Sequence, residues 1–108
     1  MNNRRSFIIG IKSTKLSKKE KNFLKRYKPW GIILFTRNIK NIDQTFKLTS
    51  SIRKVFNDQN YPILIDQEGG RINRLRNLIS FDNLTSKFYG EKYLKNYREF
   101  FFYYMIFI

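Results

Sequence analysis

The chain contains no cysteine and no histidine. The first absence excludes disulfides and thiolate metal sites. The second removes the commonest general base and the commonest zinc ligand. Acidic residues are scarce: 8 Asp and Glu stand against 22 Lys and Arg, a formal charge of +14 over 108 residues. Long apolar runs are lacking too. The densest block, FFFYYMIFI at the end of the sequence, falls far short of the roughly 18 residues that a bilayer crossing needs, so no membrane span is expected. The opening MNNRRSFIIGIKS imitates a secretion signal, but Lys12 interrupts its short apolar part; a cytoplasmic location is expected.

What is present fits one small domain. A charge of this size favours nucleic acid or an anionic surface only if it forms a patch. Here the lysines are scattered among many Asn, Ile, Phe and Tyr, which reads as a solvated basic surface produced by a compositional lean. The rival reading, a basic module for nucleic acid or anionic membranes, would draw on Arg71, Arg74 and Arg76. Arg71 and Arg74 share a face only if that piece is helical. Nucleic acid is not the expected partner.

Three short apolar runs alternate with helical signals. Ser6 to Ile11 reads as a strand. Ser17 with Glu20 makes a capping box for a helix whose apolar face is Phe23, Leu24 and Tyr27, with Lys18, Lys21 and Lys25 toward water. Pro29 stops that helix. Ile32 to Phe35, led in by Trp30 and Gly31, reads as a second, buried strand. Asn41 with Gln44 is a weaker cap, and Leu48, Ile52, Val55 and Phe56 form one face of a second helix. Pro62 and Ile63 to Ile65 make a third strand, read as buried on both faces. A last helix is expected from about Ser86 or Gly90 to the end, with Tyr93, Leu94, Tyr97, Phe101 and Tyr104 on its apolar face. Strand, helix, strand at spacings of about 25 to 31 residues means βαβ units and a parallel sheet. The chain is therefore α/β.

The stretch from Tyr61 to Arg76 concentrates the chemistry. Asp66 closes the third strand, where α/β folds keep their ligand sites. Its bland alternative is a turn residue capping the next segment. Glu68 reads as a partner of Arg71 or a cap for loop amides. Two carboxylates two residues apart on an extended chain point to opposite faces, which argues against a carboxylate pair or hard-metal site. Gly69 and Gly70 satisfy a tight turn; neither phosphate-loop pattern is present. Trp30 reads as core or rim packing beside Pro29, and the aromatics from Tyr93 onward as core.

Gly31-Ile32-Ile33-Leu34-Phe35-Thr36-Arg37-Asn38, followed by Ile65-Asp66-Gln67-Glu68-Gly69-Gly70-Arg71-Ile72-Asn73-Arg74-Leu75, resembles the amino-terminal part of family 3 glycoside hydrolases. The branch it resembles is the bacterial β-N-acetylhexosaminidases, cytoplasmic enzymes that trim N-acetylglucosamine from recycled cell-wall fragments. The resemblance covers the chain from Ile8 to Leu84. It implies that residues 1–108 are a partial domain, the first three βα units of an incomplete (β/α)8 TIM barrel. It also implies that Asp66 and Arg74 bind hydroxyls of the terminal sugar, with Arg37 and Asn38 near the rim of the same site. The partner it implies is an N-acetylglucosamine-containing saccharide, with no metal or organic cofactor. The family's nucleophilic aspartate and its histidine acid/base lie on later strands and loops. No catalytic residue is thus expected in this chain, and a non-catalytic pseudoenzyme, or a subunit completed by another chain, is a further alternative. The apolar ending is expected to favour self-association. A retaining glycosidase needs both a nucleophile and an acid/base around one bond. Incubation of the chain with a chromogenic N-acetylglucosaminide is therefore expected to release no chromophore above the buffer rate.

Overall fold

The computed structural model of the protein describes residues 3–67, 72–79 and 85–101. They fall into two compact units, one of Met1–Asp66 with Arg74–Ile79 and one of Gln67–Asn73 with Ser80–Ile108.

In the first unit, local signals set most of the element ends. Strand β1 spans Arg5–Gly10 and helix α1 Lys18–Tyr27. The Ser17 hydroxyl accepts from the Glu20 amide at 3.2 Å, and the Glu20 carboxylate accepts from the Ser17 amide at 2.8 Å, completing the expected capping box. Glu20 also accepts from the Lys12 amide at 2.8 Å, which ties the loop after β1 to the helix start. Partial burial pushes the Glu20 carboxyl up. The amides of Lys12 and Ser17, the Ser17 hydroxyl and the Lys12 charge outweigh that effect and hold it below the usual carboxylate value. Lys28 closes α1 in a left-handed conformation, φ 48°, with its amide bonded to Leu24 O. Pro29 does not merely stop the helix: it opens strand β2, Pro29–Leu34. A short 3-10 turn at Thr36–Asn38 leads to helix α2, Ile42–Phe56, capped by Asn41 Oδ1 accepting from the Gln44 amide at 2.9 Å. Strand β3 is Ile63–Ile65.

The three strands are parallel, in the order β1-β2-β3, with Ile9 level with Ile32 and Ile32 level with Ile63. The core joins Ile11, Ile32 and Leu34 of the sheet side to Leu24 of α1, Leu48 and Ile52 of α2, and Tyr61. Ile9, Ile63, Val55 and Phe56 pack against it. Each of these strand residues has the same parity in the register, so both helices cover one face. That is where two right-handed crossovers made in the same direction place them.

The expectation that β3 is buried on both faces is corrected by this arrangement. Ile32 and Leu34 are buried, whereas Ile33 and all of β3 are only half-buried and Ile8 is exposed. Among the described residues of this unit, the second face carries Ile8, Gly10, Gly31, Ile33 and Leu64 and no helix. Gly31 permits a close approach there: a Cβ on it would lie 3.1 Å from Leu64 Cδ1 and 3.2 Å from Pro62 O, so a larger residue would have to push one of them aside. Trp30, read as core or rim packing, is 46% exposed, which excludes the core alternative.

Tyr61 locks the end of α2 to the start of β2. Its ring stacks on Phe56 at 3.8 Å, the Arg4 guanidinium lies 4.8 Å from its centroid, and its hydroxyl donates to Pro29 O at 2.8 Å. Arg4 in turn pairs with Asp58.

In the second unit, Thr85 caps helix α3, Ser86–Lys95, accepting from the Phe88 amide at 3.1 Å. The continuous final helix expected from the sequence is interrupted at Asn96, which sits at φ −154°, ψ 93°. Its side-chain oxygen accepts from the Glu99 amide at 3.3 Å, and its carbonyl from the Phe100 amide at 3.0 Å, starting a new helical stretch over residues 97–101. An asparagine that offers its own acceptor to the backbone competes with the helix ladder in this way. The aromatics here are not a buried core: Tyr93, Tyr97 and Phe101 are exposed and meet one another and Phe100, with Tyr93 and Phe100 at 5.3 Å edge to face. Residues 102–108, on which self-association was expected to depend, lie outside the described residues, as do Glu68, Gly69, Gly70 and Arg71. No helix of the described residues is long and apolar enough to cross a membrane.

Burial pushes the Tyr61 hydroxyl up to about 12, with the Arg4 charge pulling in the other direction. A phenol whose folded value lies above its unfolded value contributes stability that is intact below pH ~10 and lost as pH rises toward the folded value. Urea unfolding across this range is expected to show that alkaline loss in the native chain. Tyr61→Phe should be about 1 kcal/mol less stable at neutral pH, for want of the bond to Pro29, and should show a shallower alkaline loss.

Candidate functional site

The carboxyl ends of the three strands meet at one level. Leu34 of β2 pairs with Ile65 of β3, and Gly10 of β1 with Ile33 of β2. The next residues along are Ile11, Phe35 and Asp66. Beyond them the loops carry Arg37, Asn38 and Arg74, so every candidate site residue lies at this end of the sheet in the first unit.

Asn38 is fully buried and ties the loops together. Its side-chain nitrogen donates to Ile11 O at 3.1 Å and to Ser13 O at 2.9 Å. Its side-chain oxygen accepts from the Phe35 amide at 2.9 Å. With these bonds Asn38 serves the backbone beneath the rim rather than forming the rim. Arg37 is exposed, and it too leans on the loop after β1: Nε and one terminal nitrogen donate to Ile11 O at 3.2 and 3.0 Å. Its guanidinium lies 4.7 Å from the Phe35 ring centroid.

Asp66 follows β3 directly. Its carboxylate is about half exposed, 51%, and the nearer oxygen stands 3.9 Å from a terminal nitrogen of Arg74. That is longer than a direct N–H···O bond, so the pair attracts without consuming the lone pairs of the carboxylate. Among the described residues Asp66 accepts no hydrogen bond. Arg74 stands over Phe35 as well, its guanidinium 5.7 Å from the ring centroid. The turn that carries Arg74 is pinned by the Leu78 amide donating to Leu75 O at 2.7 Å and by Asn77 Nδ2 donating to Ile39 O at 2.7 Å.

The structure therefore sets Asp66 near Arg74, places Arg74 and Arg37 against the one Phe35 ring, and buries Asn38. A half-exposed carboxylate near a guanidinium suits a neutral polyhydroxylated ligand: the carboxylate accepts from hydroxyls and the guanidinium donates to them. Sequence reasoning missed Phe35 as the ring between the two arginines. The signal was there, an aromatic two residues before Arg37 at a strand end, but it also reads as the last apolar residue of the strand. The described residues contain no group of three or more His, Cys, Asp or Glu that could hold a metal ion.

With this geometry in hand, comparison with known proteins is informative. The β-hexosaminidase of Alkalilimnicola ehrlichii is 38% identical over 71 residues, which is 64% of this chain and 20% of that protein. The β-hexosaminidase of Xanthomonas campestris is 36% identical over 69 residues. Among solved structures, NagZ of Neisseria gonorrhoeae in complex with N-trifluoroacetyl-D-glucosamine superposes with TM-score 0.60 at 35% identity, covering 70% of this chain and 22% of that one. A glycoside hydrolase family 3 β-N-acetylglucosaminidase from Paenibacillus gives TM-score 0.61 at 27% identity, over 69% of this chain and 15% of that one. Sequence and fold together match a segment of the family 3 hexosaminidases. No family model matches the chain. The chain spans about one fifth of the length of the curated hexosaminidases it matches.

Removing Asn38 takes a partner from the Phe35 amide, from Ser13 O and from Ile11 O, of which Ile11 O keeps its two bonds from Arg37. Each such group costs about 1–3 kcal/mol when left unsatisfied, though water entering the gap recovers part of it. Asn38→Ala is expected to lose about 2–3 kcal/mol in chemical denaturation. Asn38→Asp should lose stability too, because the carboxylate cannot donate to Ile11 O and Ser13 O.

Proposed function

We propose that this chain is the sugar-holding part of a retaining β-N-acetylhexosaminidase. Residues 1–108 are assigned to the first three βα units of its (β/α)8 barrel. In this reading the intact protein hydrolyses terminal β-linked N-acetylglucosamine, in a cytoplasmic setting where cell-wall fragments are recycled. The parallel order β1-β2-β3 with both crossover helices on one face supports the barrel assignment, because it leaves the second face free to turn inward.

One observation carries the reading: Asp66, at the carboxyl end of β3, holds an unused carboxylate 3.9 Å from Arg74. An ionised carboxylate can take two neighbouring ring hydroxyls at once, each bond to a charged group being worth about 1.5–3 kcal/mol. Arg74 approaches the same sugar with a rigid fork of donors. Arg37 sits beside them and lends positive potential to the rim. The cutting step is assigned to residues the chain does not supply, consistent with the absence of histidine.

Titration with N-acetylglucosamine, followed by amide chemical shifts in an isotope-labelled chain, tests this reading. The expected result is saturable shifts at and around Asp66 and Arg74, with affinity reduced at least about tenfold by Asp66→Ala. The competing basic-module reading predicts instead that duplex DNA binds and that its affinity falls steeply between two salt concentrations. Shifts with DNA and none with the sugar would overturn the proposal.

A further inference from the structure

We infer that Phe35 is a positioning residue of the sugar site: its ring holds the guanidiniums of both Arg37 and Arg74 and so aims Arg74 at Asp66. The inference rests on the reading of this site as a sugar site.

The sequence alone does not require a ring at this position. Phe35 ends an apolar run, and Leu or Ile would continue the strand as well. The structure gives the ring something to do. Two guanidiniums stand against one ring, and like charges at short range repel. The face of an aromatic ring attracts a cation within about 6 Å of its centroid. Arg37 stands at 4.7 Å and Arg74 at 5.7 Å from the Phe35 ring. Arg37 is fixed independently by its two bonds to Ile11 O. Arg74 stands 3.9 Å from Asp66, so a ring that seats its guanidinium also sets that separation.

The ring is itself held in place. The Phe35 amide donates to Asn38 Oδ1 at 2.9 Å, fixing the backbone from which the ring projects. Beneath it lies Gly10, where a Cβ would stand 3.3 Å from Phe35 Cε2 and 3.3 Å from a terminal nitrogen of Arg37. That separation is tighter than ordinary packing allows, so any larger residue at position 10 must displace the ring or the guanidinium. Gly10, Phe35 and Asn38 therefore form a seat, and the two arginines occupy it. A guanidinium held in this way loses less freedom when it meets a ligand, which is the physical content of preorganisation.

The test uses the 108-residue chain with isotope-labelled arginine. In the native chain the guanidinium resonances of Arg37 and Arg74 should be displaced by the ring current of Phe35. In Phe35→Met, which keeps bulk without a ring, both sets of signals should move to ordinary positions. In Phe35→Tyr they should stay displaced. The dissociation constant for N-acetylglucosamine should rise about three- to fivefold in Phe35→Met, in line with one lost cation–π contact, and should be retained in Phe35→Tyr. Native guanidinium signals with no ring-current displacement would overturn the inference without any variant. So would a folded Phe35→Met chain with unchanged arginine signals and unchanged affinity. If the native chain binds no sugar, the sugar-site reading fails, and the arginine signals alone then decide whether Phe35 seats the two side chains.

Discussion

The first unit depends on how the tips of β1 and β2 are joined. Parallel strands cannot be linked by a hairpin, so beyond the last ladder pair, Gly10 with Ile33, the two loops are joined by cross-ties of their own. Asn38 does this with a single fully buried amide, which donates to Ile11 and Ser13 and accepts from Phe35. The buried amide is tolerated because its own donor and acceptor are satisfied by loop backbone groups. Gln44 extends the tie: its side chain donates to Thr14 O at 2.8 Å and to Asn38 O at 3.0 Å, coupling both loops to the first turn of α2. The site inherits its geometry from these bonds.

A division of labour follows. Asn38 and Gln44 look like polar surface residues in the sequence but act as internal cross-ties. Arg37 holds a loop carbonyl with one edge and faces a ring with its plane. Asp66 keeps a half-exposed carboxylate 3.9 Å from Arg74, a separation that leaves a hydroxyl-sized partner room to engage. Arg37 and Asn38 are thus neighbours in sequence yet separated by depth, the one exposed and the other buried. Side chains held above an internally satisfied layer have less freedom to lose when they meet a partner.

The uneven dressing of the sheet points the same way. One face is covered by α1 and α2 through Leu24, Leu48 and Ile52. The other face carries Ile8, Ile33 and Leu64 with two glycines, Gly10 and Gly31, at points of close approach. Phe35 belongs by register to this second face, above Gly10. The candidate site therefore stands over the face that carries no helix among the described residues of this unit.

Much of this was determined by the sequence alone. Apolar runs, the Ser17–Glu20 box and the Asn41 cap are local patterns with local causes, so they named the elements and the parallel α/β class. Asp66 at a strand end is likewise readable, because strand direction and the polar break occur within a few residues. Tertiary structure decided the rest. Whether Ile33 is covered depends on which side both helices pass. Whether Asn38 meets solvent or Ile11 O depends on a loop 27 residues away. Whether Phe35 is merely the end of a strand or the seat of two arginines depends on a turn that returns at Arg74. Asn96 shows the limit even over short range: its side chain could continue, cap or break a helix, and the capping bond to Glu99 settles which. Periodicity records which face of an element is apolar. It does not record what that face meets, because contacts between distant residues leave no local trace in the chain.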